Sequence, residues 1–129
     1  MLKPDISNLD DIILFVNDFY NKVKEDPLIG PVFNDVIDEW SHHLERMYKF
    51  WNAALLGVPG FTGNPFAKHA PLPINVIHFE KWLLLFKETI DLNFEGDMAN
   101  EAKYRAELMA AMFLKRLGNM KGGSDKVLL

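Results

Sequence analysis

Apolar residues recur at the spacing of one helix face in several stretches of this chain, and this repeat constrains the fold more than any other feature. In the first stretch, one side of a helix would carry Ile12, Phe15, Val16, Phe19, Tyr20 and Val23. The same spacing predicts further helices over about 38–56, 74–93 and 97–117. Most aromatic residues lie within these helical patterns and not in strand-like runs, so we predict an all-α fold.

Capping residues, glycines and prolines set the predicted helix boundaries. Ser7-Asn8-Leu9-Asp10 places a carboxylate three residues after a capping serine, which predicts the start of the first helix. Pro27 ends that helix, and a short helical turn is predicted over 32–37. Gly57 and Gly118 are predicted to end the second and last main helices.

Length and composition limit the remaining possibilities. The 129 residues suffice for one domain, 1–129, with residues 1–7 and 119–129 predicted to be flexible tails. A net charge of −4 without clustered Lys and Arg argues against nucleic acid as a partner. The absence of cysteine excludes disulfides and thiolate-bound metal or haem. No signal peptide or membrane-spanning run is recognisable, so we expect a cytoplasmic protein that does not enter a membrane.

The stretch from Gly57 to Pro73 lacks helical periodicity and is rich in glycine and proline. A connection of this length inside a small domain is usually functional. It contains His69, beside the apolar Phe66 and just before Pro71. Prolines restrict the connection, which lowers the entropic cost of holding a ligating side chain there.

Four histidines are candidates for a haem or metal site. At about 100° per residue, His43 lies roughly 40° from the middle of the apolar face of the second helix, whereas His42 faces water. These two adjacent residues point in different directions and make a poor metal pair. His78 lies on the flank of the third helix and is an alternative iron ligand to His69. A single imidazole suits haem iron, while zinc or non-haem iron would require three or more convergent ligands.

Taken together, the segments of this chain resemble the group III truncated haemoglobins, small bacterial globins. The resemblance extends from about Asn8 to Leu117, and it is the order and spacing of the segments that make it specific. The matching segments are Phe19-Tyr20, Leu28-Ile29-Gly30-Pro31-Val32-Phe33, Trp40-Ser41-His42-His43-Leu44, Phe50-Trp51, Leu55-Leu56-Gly57, Gly63-Asn64-Pro65-Phe66-Ala67-Lys68-His69, Leu72-Pro73, His78-Phe79 and Trp82-Leu83-Leu84-Leu85-Phe86. It implies a two-over-two helical sandwich in which a long loop carries the proximal histidine.

The resemblance also implies a haem b cofactor and a role for each matching residue. His69 corresponds to the proximal iron ligand, and the distal pocket is implied to contain Tyr20, His43, Met47 and Trp82. Phe33 is expected to pack on the haem. The remaining expected haem contacts, each of which could instead be core or surface, are Phe50, Phe79, Phe86, Lys68 and Arg46. Lys68 and Arg46 are the candidate partners of the haem propionates.

Three classes of function are compatible with this reading. We favour a protein that binds oxygen or another small ligand such as nitric oxide, carbon monoxide or cyanide. The first alternative is a haem enzyme for nitric oxide dioxygenation or peroxide chemistry, served by a separate reductase. The second is a haem-free helical interaction module. The joint presence of His69, Tyr20 and Trp82 argues against that module.

Overall fold

The computed structural model describes residues 3–61 and 75–123, and five helices occupy most of them. They are α1 (Leu9–Glu25), α2 (Gly30–Val36), α3 (Trp40–Leu56), α4 (Val76–Asn93) and α5 (Asp97–Gly123). No strand occurs among these residues. The predicted all-α fold is therefore confirmed.

The start of α1 differs by one residue from the prediction. Asn8, not Ser7, is the N-cap, and its side-chain oxygen accepts from the backbone N–H of Asp11 at 3.0 Å. The Asp11 carboxylate in turn accepts from the backbone N–H of Ser7 at 2.9 Å. Both residue types cap helices well, so the sequence located the boundary but not the capping residue.

The corner between α1 and α2 is built around Asp26. Its Oδ1 accepts from the backbone N–H groups of Leu28 and Ile29 at 2.8 and 3.0 Å. Its Oδ2 lies 3.3 Å from the ammonium of Lys81 on α4. Gly30 completes the corner, because a Cβ there would lie 2.8 Å from the carbonyl oxygen of Lys24. The short helix predicted here is thus tied to both α1 and α4.

The middle helices begin and end close to the predicted positions. α3 begins at Trp40, two residues after the predicted start, and Gly57 ends it with a left-handed φ of 71°. α4 begins at Val76 after the N-cap Asn75, whose side chain accepts from the N–H of Ile77 at 3.0 Å. The predicted role of Gly57 is confirmed.

Both ends of the chain differ from the prediction. α5 continues past Gly118 to Gly123, because a glycine within a helix costs only about 1 kcal/mol and does not forbid it. At the other end, Asp5 accepts from the backbone N–H groups of Met98 and Ala99 at 2.9 and 2.8 Å, and Ile6 is buried. Residues 3–7 therefore dock against the start of α5, and 119–123 are helical.

The helices form two pairs, and the pairs pack across each other. α1 packs on α3, α4 packs on α5, and the pairs meet where α1 contacts α4 and α3 contacts α5. Phe15 of α1 lies at this crossing, in edge-on ring contact with Trp51, Phe86 and Phe94. This is the predicted two-over-two sandwich. The loop predicted to carry the proximal histidine lies mostly outside the described residues.

Candidate functional site

Tyr20 lies near the C-terminal end of α1, where aromatic rings from α2 and α3 surround it. Its ring centroid is 5.1 Å from that of His43, 5.8 Å from Trp40 and 6.2 Å from Phe33. The side chain is 6% exposed. The corner held by Asp26 brings α2 back along α1, which is why Phe33 reaches the same site.

The Tyr20 hydroxyl is the polar group at the centre of this site. Among the residues that the structure describes, none forms a hydrogen bond with it. Burial raises the pKa of Tyr20 well above its ordinary value of 10.0. The phenol therefore stays protonated at physiological pH and has a proton to donate to a molecule that enters the site.

His43 and Trp40 come from the first turns of α3. The His43 Nε2 atom is shielded from solvent, whereas His42 is exposed, as the helical spacing predicted. The Trp40 ring lies 5.9 Å from that of His43, at nearly a right angle. The sequence did not lead us to assign Trp40 to the site. Its position three residues before His43, hence on the same helix face, was the available signal.

Trp82 joins the site from α4 through Phe19. Its ring meets that of Phe19 edge-on at 5.7 Å, and Phe19 contacts the Tyr20 ring at 4.8 Å. On its other side, Trp82 stacks on Phe86 at 5.9 Å. The indole is half-buried, so it lies at the boundary between the core and the site.

The predicted aromatic contacts divide between the core and the edge of the site. Phe86 is fully buried and stacks on Trp51 at 5.0 Å, which makes it a core residue in this structure. Phe79 packs against Phe113 and Ala110 in a second, smaller apolar cluster between α4 and α5. These two side chains are not among the rings that contact Tyr20.

Other predicted residues of α3 are half-buried along its length. Met47 and Phe50 pack against the edge of the core. The Phe50 ring contacts Phe61 at 5.2 Å, and the Arg46 guanidinium lies 6.0 Å from the same Phe61 ring. Arg46 thus lies beside Phe61, one of the first residues of the connection that follows α3.

Of the two candidate iron ligands, His69 and His78, the structure describes only His78. His69 and Lys68 lie outside the described residues. The His78 Nδ1 accepts from the backbone N–H of Asn75 at 3.2 Å as part of the capping box of α4. The same Nδ1 also lies 3.2 Å from the side-chain oxygen of Asn75. Within the described ranges, no cluster of three or more His, Cys, Asp or Glu side chains could hold a metal ion, and no helix could span a bilayer.

Comparisons with known proteins agree with this architecture. The family model of bacterial-like globins matches residues 6–115. Group 3 truncated hemoglobin ctb of Campylobacter jejuni is 34% identical over 121 residues, which are 90% of this chain and 95% of that protein. Group 2 truncated hemoglobin YjbI of Bacillus subtilis is 31% identical over 101 residues, 74% of each protein.

A solved structure extends the similarity to three dimensions. The crystal structure of group III truncated hemoglobin from Campylobacter jejuni superposes with a TM-score of 0.81. The match has 34% sequence identity and covers 88% of this chain and 94% of that one. Sequence and fold therefore indicate the same relatives.

Proposed function

This chain belongs to the bacterial-like globin family as a truncated haemoglobin of group III, and on that premise we propose that it binds haem b and, through it, oxygen or a similar small ligand. The observation that carries the proposal is the Tyr20 hydroxyl. It is a protonated donor beside His43, has no hydrogen-bond partner among the described residues, and sits in a site walled by aromatic rings.

The described residues fit such a cofactor. A haem has broad apolar faces, and half-buried side chains of α2, α3 and α4 line the neighbourhood of Tyr20 with apolar surface. Enclosed sites of this kind, apolar with a few convergent polar groups, are typical of cofactor and small-ligand binding. Phe33, Met47 and Trp82 are the residues that we propose to contact it.

We propose His69 as the iron ligand, with Lys68 and Arg46 as partners of the haem propionates. A neutral imidazole nitrogen is a good donor to haem iron, and the globins use one proximal histidine for this purpose. When bound, the haem supplies an iron atom with one open coordination position for a small ligand.

The residues of α1 and α4 would hold that ligand. We assign the Tyr20 O–H of α1 and the Trp82 N–H of α4 as the donors to that ligand. A hydrogen bond contributes about 0.5–1.5 kcal/mol between neutral groups and about 1.5–3 kcal/mol when one partner is charged. Two such bonds would slow ligand release by orders of magnitude, so we propose tight binding over rapid exchange.

Absorption spectroscopy of the purified protein with added haem tests the proposal. We expect stoichiometric uptake, a sharp Soret band, and a carbon monoxide spectrum typical of histidine ligation. His69→Ala should weaken or alter these spectra, whereas the exposed His42→Ala should not. Failure of the unchanged protein to take up haem would refute the proposal and favour the haem-free interaction module. A cytoplasmic location and a separate reductase stay predictions of the sequence.

A further inference from the structure

We propose that Trp40 is a positioning residue, which holds Tyr20 and His43 in the orientation that a ligand in the site meets. The inference rests on the proposed function, because the two side chains that it positions are those assigned to the ligand pocket. We do not propose that Trp40 itself contacts the ligand. Trp40 would affect ligand binding through its packing against the rings of Tyr20 and His43.

The three rings contact one another in a closed set. Tyr20 meets Trp40 at 5.8 Å and His43 at 5.1 Å, and Trp40 meets His43 at 5.9 Å. The His43 ring is nearly perpendicular to both of the others, at 87° and 88°. Because each ring is bounded by the other two, neither Tyr20 nor His43 can tilt toward Trp40 unless Trp40 moves.

Trp40 is itself fixed from two other helices. Its Nε1–H donates to the Asn34 side-chain oxygen on α2 at 3.2 Å. The Lys24 ammonium of α1 lies 4.6 Å from the centre of its ring, within the range of a cation–π interaction. Asn34 also donates to the Lys24 carbonyl oxygen at 3.4 Å, so the two anchors are connected.

A second tryptophan of the same helix shows how unusual this arrangement is. Trp51 is fully enclosed in the core and stacks on Phe86. Trp40 is half-buried, and its ring and its N–H are both engaged by polar groups of neighbouring helices. We therefore assign the anchors of Trp40 to the orientation of its two ring partners.

The test uses Trp40→Phe and Asn34→Ala in the haem-loaded protein. Trp40→Phe keeps an aromatic ring but loses the N–H and part of the contact area. Asn34→Ala keeps Trp40 but removes its acceptor, together with the hydrogen bond from Asn34 to the Lys24 carbonyl oxygen. The matched control is Tyr48→Phe, which removes the hydrogen bond of Tyr48 to Asn17, also between α3 and another helix but outside the three rings.

Three readouts report on the orientation of the distal residues. They are the C–O stretching band of added carbon monoxide, the ring-flip rate of Tyr20 by NMR, and the oxygen dissociation rate. For Trp40→Phe we expect a shifted or split band, faster flipping, and dissociation at least about fivefold faster, the factor of one lost hydrogen bond. Asn34→Ala should shift the band in the same direction by less. It should raise the flip rate and the dissociation rate by only about twofold, since water can replace an exposed acceptor.

The outcomes separate this inference from the proposed function. If the unchanged protein takes up no haem, the proposed function fails and this inference fails with it. If it takes up haem and both variants match it in band position, flip rate and dissociation rate, only the inference is overturned. Equal changes in Tyr48→Phe would also overturn it, because they would indicate a general loosening of α3. Asn34→Ala decides the matter should Trp40→Phe not fold.

Discussion

The two halves of α1 have the same apolar spacing but different surroundings. In the first half, the rings that Phe15 contacts among the described residues are those of Trp51, Phe86 and Phe94. In the second half, Tyr20 contacts the imidazole of His43 and the anchored indole of Trp40. Both side chains are buried. Burial and periodicity thus do not distinguish core from site, whereas the imidazole of His43 and the anchored indole of Trp40 beside Tyr20 do.

The largest expected effect is a loss of stability from a substitution in the first half of α1. Phe15→Ala removes a fully buried ring at the crossing of the helix pairs, and should lower the free energy of unfolding by about 3–5 kcal/mol. Chemical denaturation measures this change. Leu14→Ala on the exposed side is the control and should stay within about 0.5 kcal/mol. A loss below about 1 kcal/mol for Phe15→Ala would mean that the core is centred elsewhere.

An intermediate effect, on ligand release and not on stability, is expected in the second half. Tyr20→Phe keeps the ring and removes a hydroxyl that has no described hydrogen-bond partner, so the free energy of unfolding should change little. Oxygen dissociation should become faster by roughly 10- to 100-fold, if the hydroxyl donates to a ligand that carries negative charge. Stopped-flow kinetics measures the rate, with the exposed Tyr104→Phe as control. An unchanged rate would remove Tyr20 from the ligand pocket.

The smallest expected effect concerns Asp26, at the C-terminal end of α1. Both of its carboxylate oxygens have partners. Burial opposes its charged form, but the N–H groups of Ile29 and Leu28 and the Lys81 ammonium outweigh this and lower the pKa of Asp26 below its usual 3.8. A lowered folded-state pKa gives stability that is present above the unfolded value and lost as pH falls through the folded one. Asp5, whose pKa is also lowered, contributes in the same acidic range.

Asp26→Asn should therefore cost about 1 kcal/mol near neutral pH and make stability less dependent on pH below about 4. Urea denaturation between pH 3 and 7 measures both effects. Asp35→Asn, at an exposed position of α2, controls for the loss of one negative charge. If Asp26→Asn retained the full pH dependence of the unchanged protein, this corner would not be the source of the acid sensitivity.

Much of the fold was predictable from the sequence because helix faces repeat locally. The spacing of apolar residues located every main helix, and Gly57 marked the end of α3. The predictions that were wrong concerned the two ends of the chain. They depend on the energy of a glycine within a helix and on contacts between distant residues, which a local pattern does not contain. Gly118 weakens α5 without ending it, and residues 3–7 are held by contacts with residues more than 90 positions away.

The site was predictable only in part. The helical spacing placed Tyr20 and His43 on buried faces, but their convergence depends on how α1 crosses α3, which the resemblance supplied and the spacing did not. Phe79 and Phe86 were ambiguous between pocket and core, since any large apolar residue on an inner face suits either. Trp40 was missed as a site residue because its anchors, Lys24 and Asn34, are ordinary surface residues in the sequence.

The docking of Asp5 also has a consequence for how the molecule is made. Asp5 leaves the ribosome early, whereas the N–H groups that it caps, those of Met98 and Ala99, are synthesised 93 and 94 residues later. During that interval the beginning of the chain has no partner there, and closing so long a loop carries an entropic cost. We expect this contact to form late, after α1 and α3 have paired. Asp5 thus completes the start of a helix that is synthesised more than 90 residues after it.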